Sequence, residues 1–290
     1  MTSVLYDVPG PRARVRNLVL NIVGVVILLA IAWFVYAKFD ETGQWAGEKW
    51  KPLFEWGTWD NFVIPGLLGT LKAFVAGAVL SIAFGLVFGV GRMSGNRWVS
   101  WASVAVIEFF RAIPLLLLML FIYALWPSLG LDANPFVAVV LGLMLYNGSV
   151  IAEIVRAGVN SLPSGQREAG LAVGLTQGQT MRLVLLPQAL RAMLPAIVAQ
   201  LVVVLKDTAL GYIIGYVELL NQLNKLGSQG ARNMVPAAIV IAAVYIILNN
   251  LLSFVADQLE KRTRKTVSAI PLEVQAAADA ETTAQTTNTF

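Results

Sequence analysis

Six apolar runs, each close to the roughly 20 residues that an α-helix needs to cross a hydrocarbon layer, constrain this chain more than any other feature. They fall at 18–37, 68–90, 101–125, 136–155, 190–214 and 236–255. Backbone polar groups find no water in lipid and must bond within their own segment, so runs of this length fold as helices. The expected architecture is an all-α integral membrane protein with about six transmembrane helices and both termini on one side. Composition agrees: 57% of residues are hydrophobic and 13% charged, against about a quarter charged in soluble domains. The first run competes with a signal peptide, because Arg12, Arg14 and Arg16 form a basic flank. It is long for such a core, however, and no small-residue cleavage site follows it.

Cysteine and histidine are both absent. That removes disulfides, thiol nucleophiles, histidine-based metal sites and the usual general base together. No catalytic residue and no metal ligand is assigned, and the chain is not expected to be an enzyme. The net charge of +4 is read as membrane topology rather than as affinity for nucleic acid.

Lys and Arg collect in cytoplasmic loops close to the spans. One side receives Arg12, Arg14, Arg16, Arg92, Arg97, Arg156, Arg167, Arg182, Arg191, Lys261, Arg262, Arg264 and Lys265, and the other only Lys38, Lys49, Lys51, Lys225 and Arg232. Both termini are then cytoplasmic, and 39–61, with Trp45, Trp50, Trp56 and Trp59, is an external interfacial segment. Three parts are expected: 1–61 with the first helix and the Trp-rich loop, a transmembrane domain over 62–262, and a disordered cytoplasmic tail over 263–290 that lacks an apolar period. In the second span Gly77, Ser81, Gly85 and Gly89 recur every four residues, a flat face for close helix packing. Pro114, Gly211 and Gly215 interrupt other spans.

The basic side also holds a polar loop, Gln166-Arg167-Glu168-Ala169-Gly170, then Gly174, then Val184-Leu185-Leu186-Pro187. Small Ala169, Gly170 and Ala172 let a short helix sit deep in another protein's groove, Arg167 and Glu168 supply charge at its rim, and Gly174 lets the chain turn. The spacing resembles the E-A-A, three residues, G, nine residues, I-x-L-P signature of permease subunits of ATP-binding-cassette (ABC) importers. Gly170 replaces the second alanine and Val184 the isoleucine. Further blocks widen the resemblance to the polar amino-acid branch: Ala152-Glu153-Ile154, Arg156-Ala157-Gly158, Leu186-Pro187-Gln188-Ala189, Leu194-Pro195 and Leu205-Lys206-Asp207-Thr208. It covers roughly 66–260 and is strongest toward permeases of actinobacterial glutamate uptake systems.

That resemblance implies a type I importer transmembrane domain in the plasma membrane of a bacterium. It pairs with a second permease subunit, as a homodimer or a heterodimer, and takes up a polar amino acid from an extracellular substrate-binding protein. Two cytoplasmic ABC ATPases dock at Gln166, Arg167, Glu168, Ala169, Gly170, Gly174 and Pro187, the coupling segment, and drive alternating access. No G-x-x-x-x-G-K-[ST] loop is present, so ATP is expected on those partners and no cofactor on this chain.

Ionisable residues within spans are costly and mark pathways or paired sites. Glu108 and Arg111, spaced i, i+3, either pair with each other or contact substrate. Lys206 and Asp207 are adjacent and point about 100° apart on a helix. Either Lys206 holds an amino-acid carboxylate, with Asp207 and Thr208 fixing the backbone or meeting the ammonium, or both residues pair across helices. Glu153 and Arg156 are expected to snorkel toward the cytoplasmic surface. Asn147-Gly148-Ser149 matches a glycosylation sequon but lies inside a span, out of reach. Arg111 and Lys206 tolerate an extra carboxylate, so glutamate is the expected substrate. The alternative is an ion-gradient-driven secondary amino-acid transporter or channel, which needs an internal repeat that the chain does not display.

Overall fold

The computed structural model describes residues 10–228 and 234–267. Helix α1 (Pro11–Glu41) is followed by α2 (Gly47–Phe54) and a single turn, α3 (Trp56–Thr58). A π-helical turn over Trp59–Val63 runs into α4 (Ile64–Arg92), and α5 (Arg97–Ala112), α6 (Leu115–Ser128) and α7 (Pro135–Asn160) follow. Two short helices, α8 (Ser164–Ala172) and α9 (Gln177–Thr180), precede a second π turn, Met181–Leu185, and α10 (Leu186–Asp207). A 3-10 segment, Thr208–Ile214, leads to α11 (Leu219–Ser228) and α12 (Met234–Val267). Among the described residues five helical stretches are long and apolar enough to cross a membrane, or six if the bent pair α5–α6 is one span. Arg232 and the tail from 268 onward lie outside the described residues, and α12 continues past the tail boundary expected at 263.

The third apolar run, 101–125, is not a straight span. It bends by 99° between α5 and α6. Pro114 has no N–H to donate and drives the residue before it out of the helical region, so Ile113 is extended, at φ −94° and ψ 128°. The Leu118 N–H then bonds the Pro114 carbonyl at 3.1 Å and starts a new helix. Prolines act differently at Pro65 and Pro187. Each stands two residues after a π turn, whose wider winding accommodates a ring that would otherwise crowd the preceding carbonyls. The helix therefore continues through Pro187, and Gln177–Ile214 forms one 38-residue stretch.

Helices α4 and α7 form the centre, and the small-residue face of α4 is what brings them together. A side chain added at Gly77 would meet Leu143 Cδ1 at 2.8 Å, and one at Gly85 would meet Ile151 Cβ at 2.7 Å. Between them Ser81 donates to the Leu143 carbonyl at 3.0 Å. Without a hydrophobic drive between helices in lipid, this close backbone approach is the main source of packing energy. The core extends from α4 and α7 to α6 and α10 through Ala73, Leu115, Met119, Val139, Leu143 and Val204. A second cluster joins α2, α11 and α12 through Leu53, Leu219, Leu223, Ala237 and Ile241. By contrast α1 buries none of its residues. The aromatic segment after it is ordered by its indoles: Trp50 donates to the Gln44 carbonyl at 2.8 Å and Trp59 to the Leu53 carbonyl at 2.8 Å.

Candidate functional site

The polar loop folds as a separate surface helix, α8, tied back at both ends. Its C-terminus closes in a Schellman motif: Leu175 N–H bonds the Gly170 carbonyl at 3.2 Å and Gly174 N–H bonds the Leu171 carbonyl at 3.0 Å. Gly174 makes this possible at φ +86°, a conformation that side chains disfavour. Thr176 and Gln179 then form a reciprocal capping box that starts α9. The Gln188 amide donates to Gln166 Oε1 at 3.0 Å and binds α8 to α10. Gly170 is the one buried residue of α8. Leu171 and Val173 are 41% and 77% exposed.

Gly170, the departure from the E-A-A pattern, has a physical reason that the sequence did not reveal. A Cβ at 170 would lie 2.6 Å from Thr180 Cγ2 and 3.0 Å from its Oγ1. The helix is intact despite the glycine because this contact anchors it. Beside it, a cavity of about 750 Å³ opens between α8–α9 and the turn after α4, with Arg167 and Arg182 on its wall.

The charged residues expected near substrate fall into two separate groups. Glu108 and Arg111 are 3.8 Å apart, but neither stands as an isolated pair. Glu153, on α7, is the hub: it pairs with Arg92, with Arg156 at 2.9 Å and with Arg111 at 4.0 Å, while Arg92 also reaches Glu108 at 3.2 Å. Glu153 and Arg156 are thus members of a paired network at this end of α7. Three arginines and two glutamates form one network across α4, α5 and α7 with a net charge of +1, and the Glu153 side chain is only 17% exposed. The cluster pins the end of α5 next to its bend at Ile113 and Pro114.

Lys206, Asp207 and Thr208 occupy the end of α10 and diverge, as their helical phases require. Asp207 faces α7 and accepts from Asn147 Nδ2 at 3.2 Å, and Asn147 in turn accepts from Gln200 at 2.6 Å. The sequon asparagine is thus fully buried, and it serves as a bridge between α7 and α10. Thr208 is also fully buried and donates to the Leu205 carbonyl at 2.7 Å. Lys206 is exposed, forms no ion pair among the described residues, and borders a largely apolar groove of about 620 Å³ between α10 and α12 with Tyr245 and Asn249. It does not meet Arg111, which belongs to the other cluster.

Glu218 escaped the sequence reading because its run, Val217-Glu218-Leu219, looks like an ordinary loop. Its carboxylate is fully buried and accepts from the Leu220 N–H at 2.8 Å, the Asn221 N–H at 2.6 Å and the Tyr245 hydroxyl at 2.9 Å. It caps the N-terminus of α11 and ties it to α12. Burial pushes its carboxyl above the ordinary range, and the three donors partly offset that shift. Nearby, Tyr216 donates to the Gly69 carbonyl at 2.8 Å and Thr70 accepts from the Leu219 N–H at 3.3 Å. The segment between α10 and α12 is therefore fastened to α4 as well.

A helical membrane bundle with a detached polar helix, held rigidly and exposing apolar side chains, is the form of a transport subunit with a docking site for another protein. Residues 81–265 match the family described as binding-protein-dependent transport system inner membrane component, and the chain belongs to that family. It is a multi-pass membrane protein. It is 44% identical over 228 residues to the glutamate transport system permease protein GluD of Corynebacterium glutamicum, covering 77% of this chain and 82% of that one. It is 36% identical over 216 residues to the glutamine transport system permease protein GlnP of Escherichia coli, covering 73% and 98%. Among solved structures it is similar to an amino acid ABC transporter with histidines, at a TM-score of 0.63 and 32% identity over 69% of this chain and 92% of that one.

Proposed function

We propose that this chain is the transmembrane permease subunit of an ABC importer that takes up glutamate. The observation that carries the reading is α8, a nine-residue helix whose only buried residue faces its own protein, which leaves the rest of its surface for a partner. Gln166, Arg167, Glu168 and Ala169 form the docking surface for a cytoplasmic ATPase, Gly170 and Gly174 fix its attachment and exit, and Pro187 begins the helix that carries movement into the membrane. Two ATPases bind the ATP, a second permease subunit completes the pathway, and an extracellular binding protein supplies ligand. The termini and α8 are cytoplasmic, the Trp-rich segment is external, 62–262 is the transport domain, and 263–290 is a cytoplasmic tail. Glutamate follows from the permease of Corynebacterium glutamicum with 44% identity.

Lys206 is the residue of this site that contacts the substrate carboxylate. It is exposed and free of any ion pair among the described residues. Asp207 supports it by holding the end of α10 against α7, Thr208 by fixing the local backbone at the Leu205 carbonyl, and Glu108 and Arg111 contribute through the charge cluster. The test is ATP-driven glutamate uptake by the whole complex in proteoliposomes. Glu168→Lys abolishes uptake with assembly intact, and Lys206→Met raises the apparent KM. Normal transport by the first variant removes the docking role, and an unchanged KM in the second removes the carboxylate site.

A further inference from the structure

The contact between Gly170 and Thr180 has a mechanical consequence. Thr180 ends the first turn of the continuous helical stretch Gln177–Ile214. It is 1% exposed, and its β-branched side chain has little rotameric freedom. Rotating it does not clear the space at Gly170, because Cγ2, Oγ1 and Cβ lie 2.6, 3.0 and 3.3 Å from the position of an added Cβ. The second attachment, Gln166 to Gln188, lies on the same long stretch. At about 1.5 Å per residue, the rod from Thr180 to Asp207 is roughly 40 Å long. Its far end is fixed to α7 through Asn147.

We propose that Gly170 is a positioning residue whose missing side chain seats α8 on Thr180, so that α8 and the stretch Gln177–Asp207 move as one lever. This rests on the reading of α8 as the ATPase-docking helix, and it adds which membrane helix receives the movement and through which contact. Displacement of α8 reaches the Lys206–Asp207 region through this contact as well as along the turn Val173–Leu175. The alanine that the E-A-A pattern places at this position is therefore damaging here.

The experiment uses the whole complex in proteoliposomes with the binding protein, and it measures substrate uptake and ATP hydrolysis together. Gly170→Ala lowers uptake by about tenfold or more while ATP hydrolysis is largely retained, because the joint is overpacked and displaced. Adding Thr180→Ala removes Cγ2 and Oγ1, so the double variant Gly170→Ala/Thr180→Ala recovers uptake to within about twofold of the unaltered complex. Thr180→Ala alone removes the surface on which α8 rests and so lowers uptake as well, and unaltered uptake by this single variant contradicts the seat. Wild-type uptake by Gly170→Ala, or a loss that Thr180→Ala does not relieve, overturns the proposal.

Should Gly170→Ala fail to assemble, a second measurement decides. The chain contains no cysteine, so Gln166→Cys/Gln188→Cys places a unique pair across the joint. Because Gln166 belongs to the docking surface, uptake is compared before and after cross-linking of this same double variant: closing the pair with a short thiol cross-linker leaves its own uptake level unchanged if the joint is rigid throughout the cycle. Arrest by the cross-link, reversed on its cleavage, overturns the proposal. Failure of the unaltered complex to couple ATP to uptake contradicts the underlying functional reading instead, so the two failures are distinct.

Discussion

Glu218 shows how a single side chain can organise a junction that no local pattern announces. Its folded carboxyl lies above its ordinary value of 4.5, so the native state holds its proton to higher pH than the unfolded chain does. The sign follows from linkage: its stabilising contribution is complete below 4.5 and is lost as pH rises through the folded value. Apparent melting temperature in detergent therefore falls more steeply with rising pH in the unaltered protein than in Glu218→Gln, and equal slopes contradict the assignment. Gln at 218 also turns its amide donor toward one of the two N–H groups, of Leu220 or Asn221, that separate carboxylate oxygens accept from, so the variant begins from lower stability. At this same scale, the divergence of Lys206 and Asp207 was legible from helical phase alone. The partners were not, since Asn147 meets both Gln200 and Asp207 of α10 only because α7 packs on that helix.

Elements record a second kind of information. The small-residue period of α4 announced a tight helix contact, and α7 supplies it. Gly85→Val places methyl groups where Ile151 already stands, which costs about 1–3 kcal/mol and lowers the yield of folded protein from the membrane. Full yield from that variant contradicts the packing. Proline positions were also visible, but their outcomes were not. Pro114 produces a 99° bend, whereas Pro65 and Pro187 are absorbed by π turns. All three remove the same hydrogen bond, so the difference lies in the neighbours: the charge cluster centred on Glu153 holds the end of α5 beside the bend, while Leu185 and Ala189 are packed in line beside Val159. An apolar run alone does not distinguish a straight span from a folded one.

For the whole molecule, the arrangement of basic residues makes a topology prediction that uses the absence of cysteine. A membrane-impermeant maleimide added to intact cells labels Trp56→Cys, whose position is 74% exposed, and leaves Arg167→Cys unlabelled until the membrane is opened. Labelling of Arg167→Cys from outside inverts the orientation and removes α8 from the reach of a cytoplasmic ATPase. Helix α1 also belongs to this scale. It buries none of its residues and stands outside the matched residues 81–265, so its surface is available to lipid or to another subunit.

Membrane insertion, helical class, the presence of a polar segment between two spans and the close face of α4 were determined by the sequence itself, because each depends on period, length or hydropathy along one segment. Tertiary structure alone decided that Gly170 seats against Thr180, that Glu153 gathers three arginines, that Asn147 bridges to Asp207 and that Glu218 fastens α11 to α12. Each of these joins residues on different elements, and their energies depend on distances of a few ångströms that no one-dimensional spacing encodes. The polar segment was readable as a motif, but the glycine that departs from that motif became explicable only once the side chain opposite it was in place.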